Sequence, residues 1–98
     1  MKSLQQRIVA KRAQRGFTTE PLEVFTLLQE EVGEIAGELK KTWSPNYDTF
    51  DPEKLGEEIA DCLALLAALA DRFDIDMEEA LERMFFEKDA RRKWRSAP

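Results

Sequence analysis

The 98-residue chain contains no histidine. No Ser-His-Asp or Cys-His arrangement and no His-bearing zinc site can be built from it, so any catalysis falls to carboxylates, lysine, tyrosine or metal-bound water. A single cysteine excludes an internal disulfide, and Cys62, inside an apolar stretch, reads as a small core residue. The longest uninterrupted apolar run, Cys62 to Ala70, is too short to cross a bilayer, and no cleavable leader pattern precedes it. A cytoplasmic protein without a membrane partner is expected. Basic charge is in the minority, with 15 Lys and Arg against 20 Asp and Glu, and the net charge of −5 argues against nucleic acid as the partner. No strand pattern, internal repeat or low-complexity tract is evident.

What the chain does have is helical patterning. Its length makes one domain, 1–98, of a size that buries a modest share of its surface and is often stabilised by oligomerisation. The 36% of charged residues suits long helices with solvated faces. The spacing predicts an all-α bundle of four helices, over about 2–15, 21–42, 52–73 and 76–94. The first has a thin apolar side (Leu4, Ile8, Val9) and ends at Gly16. Its basic residues Arg7, Lys11, Arg12 and Arg15 read first as a solvated face, with approach to a substrate phosphate as the alternative. The second starts at Pro21 with Thr19 or Glu20 as cap, and its expected core stripe is Phe25, Leu28, Val32, Ile35 and Leu39. Gly33 and Gly37 inside it each cost about 1 kcal/mol relative to Ala, which close helix approach or room beside a site would explain. Asp51-Pro52-Glu53 is a favourable start for the third helix. From Ile59 to Phe73 that helix is apolar nearly all round, so a second subunit is expected to cover it, in a tightly packed or helix-swapped homodimer. Pairing of dimers into a tetramer is left open. Asp76 and Glu79 have capping-box spacing before the last helix, whose end is basic.

The acidic residues form pairs. Glu31 and Glu34 are three apart, as are Glu58 and Asp61, and on a helix that spacing points both members the same way. Val24, Leu27, Glu31, Glu34 and Glu38 make one line along the second helix, apolar first and then acidic. Glu58, Asp61, Leu65 and Ala68 make the reverse line on the third. An antiparallel register that matches Glu34 with Glu58, Glu31 with Asp61, Leu27 with Leu65 and Val24 with Ala68 pairs like with like at every rung. Two unit charges about 4 Å apart repel by roughly 4 kcal/mol at an effective dielectric of about 20. Either protons or a cation must neutralise such a group. The donors are all carboxylate oxygen, the hard set preferred by Mg²⁺ or Mn²⁺. The competing reading is a solvated acidic face, the common fate of a Glu-rich run.

The half-motif Glu30-Glu31-Val32-Gly33-Glu34, followed after a loop by Glu58-Ile59-Ala60-Asp61 in a long apolar helix, resembles the EExxE and ExxD signature of MazG-like all-α NTP pyrophosphatases. The likeness runs from about Arg15-Gly16-Phe17 to Arg92. It implies a Mg²⁺-dependent enzyme that splits a nucleoside triphosphate between its α and β phosphates, with a house-cleaning or nucleotide-pool role. By position it implies Glu31, Glu34, Glu58 and Asp61 as metal ligands. Glu30, adjacent to them and absent from the core stripe, is the expected base that activates water. Trp43, in the loop with Tyr47 and Phe50, is the first candidate to stack on a nucleobase, with capping of the core as the alternative. Related pyrophosphatases often carry Lys, Asn and Arg on the last helix for phosphate contact. This sequence has no Asn there, and Lys88, Arg91 and Arg92 are the candidates. A phosphoribosyl-ATP pyrophosphatase is disfavoured, because the usual Tyr-His pair is replaced by Cys62-Leu63-Ala64. The reading from another class is a helical dimerisation or adaptor module whose acidic face binds a partner.

Overall fold

The computed structural model describes residues 2–88, and no strand occurs among them. Four helices follow one another: α1 (Lys2–Gln14), α2 (Pro21–Lys40), α3 (Pro52–Arg72) and α4 (Met77–Leu81), the last running on as π-helical turns over Glu82–Lys88. Local chemistry sets each boundary. Gly16, at φ 70°, takes the left-handed position that ends α1. The Phe17 amide then donates to the Arg12 carbonyl and the Gly16 amide to the Ala13 carbonyl, each at 3.0 Å. Glu20, rather than Thr19, caps α2, its Oε2 accepting from the Glu23 amide at 2.9 Å. Asp51 caps α3 through the Glu53 amide at 3.0 Å. The same closing geometry recurs after α3 with Asp74 (φ 55°) where glycine would be usual, and the Ile75 amide donates to the Ala70 carbonyl at 2.9 Å. Asp76 caps α4, accepting from the amides of Glu78 and Glu79 at 3.0 and 3.3 Å.

α2 and α3 form the central hairpin. Val24 and Leu28, early in α2, cluster with Leu65 and Ala68, late in α3, and Cys62 joins them with Ile35 and Leu69 alongside. Glu31 and Glu34, further along α2, meet Glu58, earlier in α3. This reversed order makes the pair antiparallel, as the acidic register requires. Val24, at 1% exposure, anchors the core, and full burial of such a side chain contributes about 1.5–3 kcal/mol. α1 packs on α3 and is pinned at the far end by Gln5. Gln5 is buried; its Nε2 donates to the Ile75 carbonyl at 2.7 Å and its Oε1 accepts from the Met77 amide at 2.9 Å. One side chain thus ties α1 to the turn between α3 and α4 and fills an open donor at the start of α4.

Two expectations are corrected. The core stripe of α2 is not Phe25, Leu28, Val32, Ile35 and Leu39. Of these, Leu28 and Ile35 face α3 with Val24, while Phe25, Val32 and Leu39 stay exposed. α2 is apolar on two adjacent lines, and α3 covers one. Phe25, Val32 and Leu39 lie one step beyond Val24, Glu31 and Glu38; Ile59, Leu66 and Phe73, also exposed, lie one step beyond Glu58, Leu65 and Arg72. In an antiparallel pair these two heptad-spaced lines fall on the same side of the hairpin. The second correction concerns the helix expected over 76–94. Regular α-helix stops at Leu81 and continues as π-helical turns to Lys88, with Leu81, Met84, Phe85 and Phe86 exposed. Residues 89–98 lie outside the described chain.

Gly33 and Gly37 are not explained by crowding within the subunit, since a Cβ at either would meet nothing within 4 Å.

Candidate active site

The α2–α3 register brings acids from two helices to one place. Glu31, Glu34 and Glu58 each contribute one carboxylate oxygen to a group in which all atoms lie within 4.8 Å of one another. Glu31 and Glu34 are a turn apart on α2, and Glu58 reaches across from the second turn of α3. Oε2 of Glu31 and Oε2 of Glu58 are sealed from solvent, and no N–H or hydroxyl donor reaches either. Buried acceptors of that kind need a proton or a cation. The Glu58 carboxyl is pushed up to about 8 by hydrogen bonding to Glu34 and then to Glu31, with burial and the neighbouring charges adding to it. Glu31 is raised as well: the hydrogen bond from Glu58 pulls it down, but burial and the charges of Glu34 and Asp61 outweigh that. Burial, followed by the charges of the acids, also pushes the Cys62 thiol up, the direction opposite to that of an activated cysteine.

The donor set is carboxylate oxygen throughout, with two orphaned acceptors among three converging groups. These residues fit a hard divalent cation. Asp61 stands beside the group. It lines the same cavity as Glu31 and its charge is felt there, but it is not among the three that converge. Glu38, the next acid along α2, is instead paired with Lys41 at 2.9 Å.

The cavity next to the acids has a volume of about 620 Å³, within the range of small-molecule sites. Leu27 and Leu65 of the hairpin and Leu4 and Ile8 of α1 give it an apolar floor, Glu31 and Asp61 mark one wall, and basic side chains of α1 mark another. Phe17 and Thr18, from the link between α1 and α2, close one end. Arg12 holds that link in place: its guanidinium donates to the Thr18 carbonyl at 2.9 Å and lies 5.3 Å above the centre of the Phe17 ring.

Of the residues expected from sequence, the structure thus gathers Glu31, Glu34 and Glu58, with Asp61 adjoining. Glu30 faces solvent and lines neither the cluster nor the cavity. Trp43, 74% exposed in the turn after α2, does not line the cavity either. Tyr47 is engaged by Lys40, whose Nζ lies 3.0 Å from the phenol oxygen and 4.7 Å from the ring centre. Lys88 closes the π-helical segment, and its side chain, like Arg91 and Arg92, lies outside the described residues. The aromatic that does reach the cavity is Phe17. Its signal in the sequence was Gly16, which turns the chain back beneath the basic face of α1.

Residues 19–96 match the MazG nucleotide pyrophosphohydrolase domain. The chain is 38% identical over 75 residues to the uncharacterized protein YpjD of Bacillus subtilis (strain 168), which covers 74% of this chain and 68% of that protein. It also superposes on the crystal structure of YpjD from Bacillus subtilis, a protein provisionally described as a pyrophosphatase. That match has a TM-score of 0.73 and 33% identity, and covers 88% of this chain and 91% of the other. With the paired acidic half-motifs converging across an antiparallel helical hairpin, the chain belongs to the MazG nucleotide pyrophosphohydrolase family.

Proposed function

We propose that this protein hydrolyses a nucleoside triphosphate between the α and β phosphates, releasing the monophosphate and pyrophosphate, with Mg²⁺ or Mn²⁺ as cofactor and a role in keeping the nucleotide pool clean. The observation that carries the reading is the convergence of Glu31, Glu34 and Glu58 at the edge of a ligand-sized cavity, with two sealed oxygens that lack a donor. Those three, with Asp61 as the fourth, would hold the ion. A divalent cation bound there supplies charge neutralisation for the phosphates and eases deprotonation of water.

The chain's own residues supply the rest. Leu27, Leu65 and the apolar side of α1 give the cavity an apolar lining next to the acids. Glu30, next to the metal set and open to solvent, is assigned the role of accepting the proton of the attacking water. Glu30→Gln is expected to lose turnover while keeping Mn²⁺ binding, which separates a base from a metal ligand. Trp43 is exposed and available to stack on the base, and Lys88, Arg91 and Arg92 are proposed phosphate contacts from the end of the chain.

The active form in this reading is a homodimer. Phe25, Val32 and Leu39 with Ile59, Leu66 and Phe73 give the hairpin an apolar face on the side away from the cavity, and a second copy presenting the same face would bury both. No helix among the described residues is long and apolar enough to cross a membrane, and the proposed location is the cytoplasm. The test of the reaction is a panel of the common ribo- and deoxynucleoside triphosphates with Mg²⁺ or Mn²⁺, with products separated by chromatography. Monophosphate and pyrophosphate in equal amounts are expected from at least one of them; pyrophosphate from none would refute the reading.

A further inference from the structure

The cavity has a wall of charge that the acidic cluster does not account for. Arg7 and Lys11 of α1 and Arg15 just past its end recur at every fourth position and line it. None of the three forms an ion pair with a described residue, although Glu31 and Asp61 line the same space. Arg12 differs, since the Thr18 carbonyl and the Phe17 ring already engage it. Like charges four apart on a helix repel one another, and α1 has little apolar surface to offset that. Three cations without an ion pair and two acids, Glu31 and Asp61, thus line one cavity of about 620 Å³, a lining matched to one kind of occupant. It must carry a divalent ion towards the acids and present several anionic oxygens to α1.

We infer that α1 is a polyphosphate clamp, in which Arg7, Lys11 and Arg15 hold the β and γ phosphates, the part that departs as pyrophosphate. The inference rests on the proposed reaction for the identity of the ligand and on the cavity for its place. Guanidinium groups suit phosphate because their fork of donors can meet two oxygens at once, and Lys11 adds a point charge between them. Leu4 and Ile8 from the same helix give the cavity an apolar side next to these cations. The helix therefore faces its substrate with apolar rungs at the base and cations above.

The probe is inorganic pyrophosphate titrated by calorimetry into the whole chain in Mg²⁺. Loss of one charge-assisted contact weakens binding about tenfold or more. Lys11→Gln and Arg15→Gln are each expected to show that loss and the double variant a larger one, whereas Lys11→Arg keeps most of the affinity and Lys54→Gln, outside the cavity, keeps all of it. In turnover the same variants raise KM for the triphosphate more than they lower kcat, and inhibition by the nucleoside monophosphate stays unchanged. Wild-type protein that does not bind pyrophosphate, or a folded double variant that binds it as well as wild type, would overturn the clamp. Pyrophosphate binding that depends on Lys11 in a protein that cleaves no triphosphate would refute the proposed reaction and leave the clamp standing.

Discussion

Glu58 on α3 and Glu34 on α2 bring carboxylate oxygens within 4.8 Å of each other across the hairpin, and the proximity of Glu34 is the first cause that raises the Glu58 carboxyl to about 8. Two acids from different helices are thus coupled in their titration. The same atoms, once deprotonated, are those that would receive a cation.

The coupling fixes a pH dependence. Unfolded, Glu58 titrates near its ordinary value of 4.5; folded, it holds its proton to about 8. Between these values the folded state binds more protons than the unfolded, so this contribution to stability is fully present below about 4.5 and lost as pH rises through 8. Metal-free wild type, compared with Glu58→Gln, is expected to lose melting temperature over that window. Saturating Mg²⁺ should remove the loss and displace the proton, because the ion binds the deprotonated form. Parallel melting curves for wild type and Glu58→Gln from pH 5 to 9 in chelator would contradict this.

Gln5→Ala removes both hydrogen bonds that join α1 to the α3–α4 turn and leaves the Met77 amide and Ile75 carbonyl without their partner. A loss of about 1–3 kcal/mol in urea unfolding is expected. Because Gln5 also sets how α1 lies over the cavity, the variant should weaken substrate binding without touching the acids.

Asp74 occupies a left-handed position at φ 55°, which costs a residue with a Cβ more than it costs glycine. Asp74→Gly is expected to stabilise the protein by up to about 1 kcal/mol, read as a higher urea midpoint at unchanged slope.

The uncovered face of the hairpin predicts the oligomeric state. Wild type should sediment as a dimer, and Leu66→Lys, which puts a charge in the middle of the exposed line, should dissociate it. Gly33 and Gly37 sharpen the test. A Cβ at either position meets nothing within the subunit, so Gly37→Ala should gain up to about 1 kcal/mol in helix propensity unless a partner packs there. Loss of the dimer in Gly37→Ala would place that glycine in the interface.

The parts of the fold that were legible in the sequence are those with local causes. Gly16, Pro21, Asp51-Pro52 and Asp76 mark helix ends because capping and φ restriction act within a few residues. The meeting of Glu34 with Glu58 was legible too, since in an antiparallel pair one matched rung fixes the others. What stayed hidden depends on long-range docking. Val24 heads a line that turns acidic and Phe25 an adjacent one that stays apolar, and sequence spacing alone does not say which one α3 covers. That the exposed basic side of α1 also lines a cavity was not legible, because the place of α1 over the hairpin is set by contacts with α3 and by Gln5 meeting residues 70 and 72 positions away. The π-helical turn at Glu82 has no cap, proline or glycine to announce it.

The central claim is that Glu31, Glu34 and Glu58, with Asp61 beside them, form a divalent-cation site. Titration of Mn²⁺ followed by electron paramagnetic resonance tests it directly, because bound ions lose the sharp six-line signal of the aqueous ion. Wild type is predicted to remove Mn²⁺ from solution saturably, with folded Glu31→Gln and Glu58→Gln both failing to do so over the same range and added Mg²⁺ displacing the bound ion. Equal uptake by wild type and both variants, or none by any, would contradict the account.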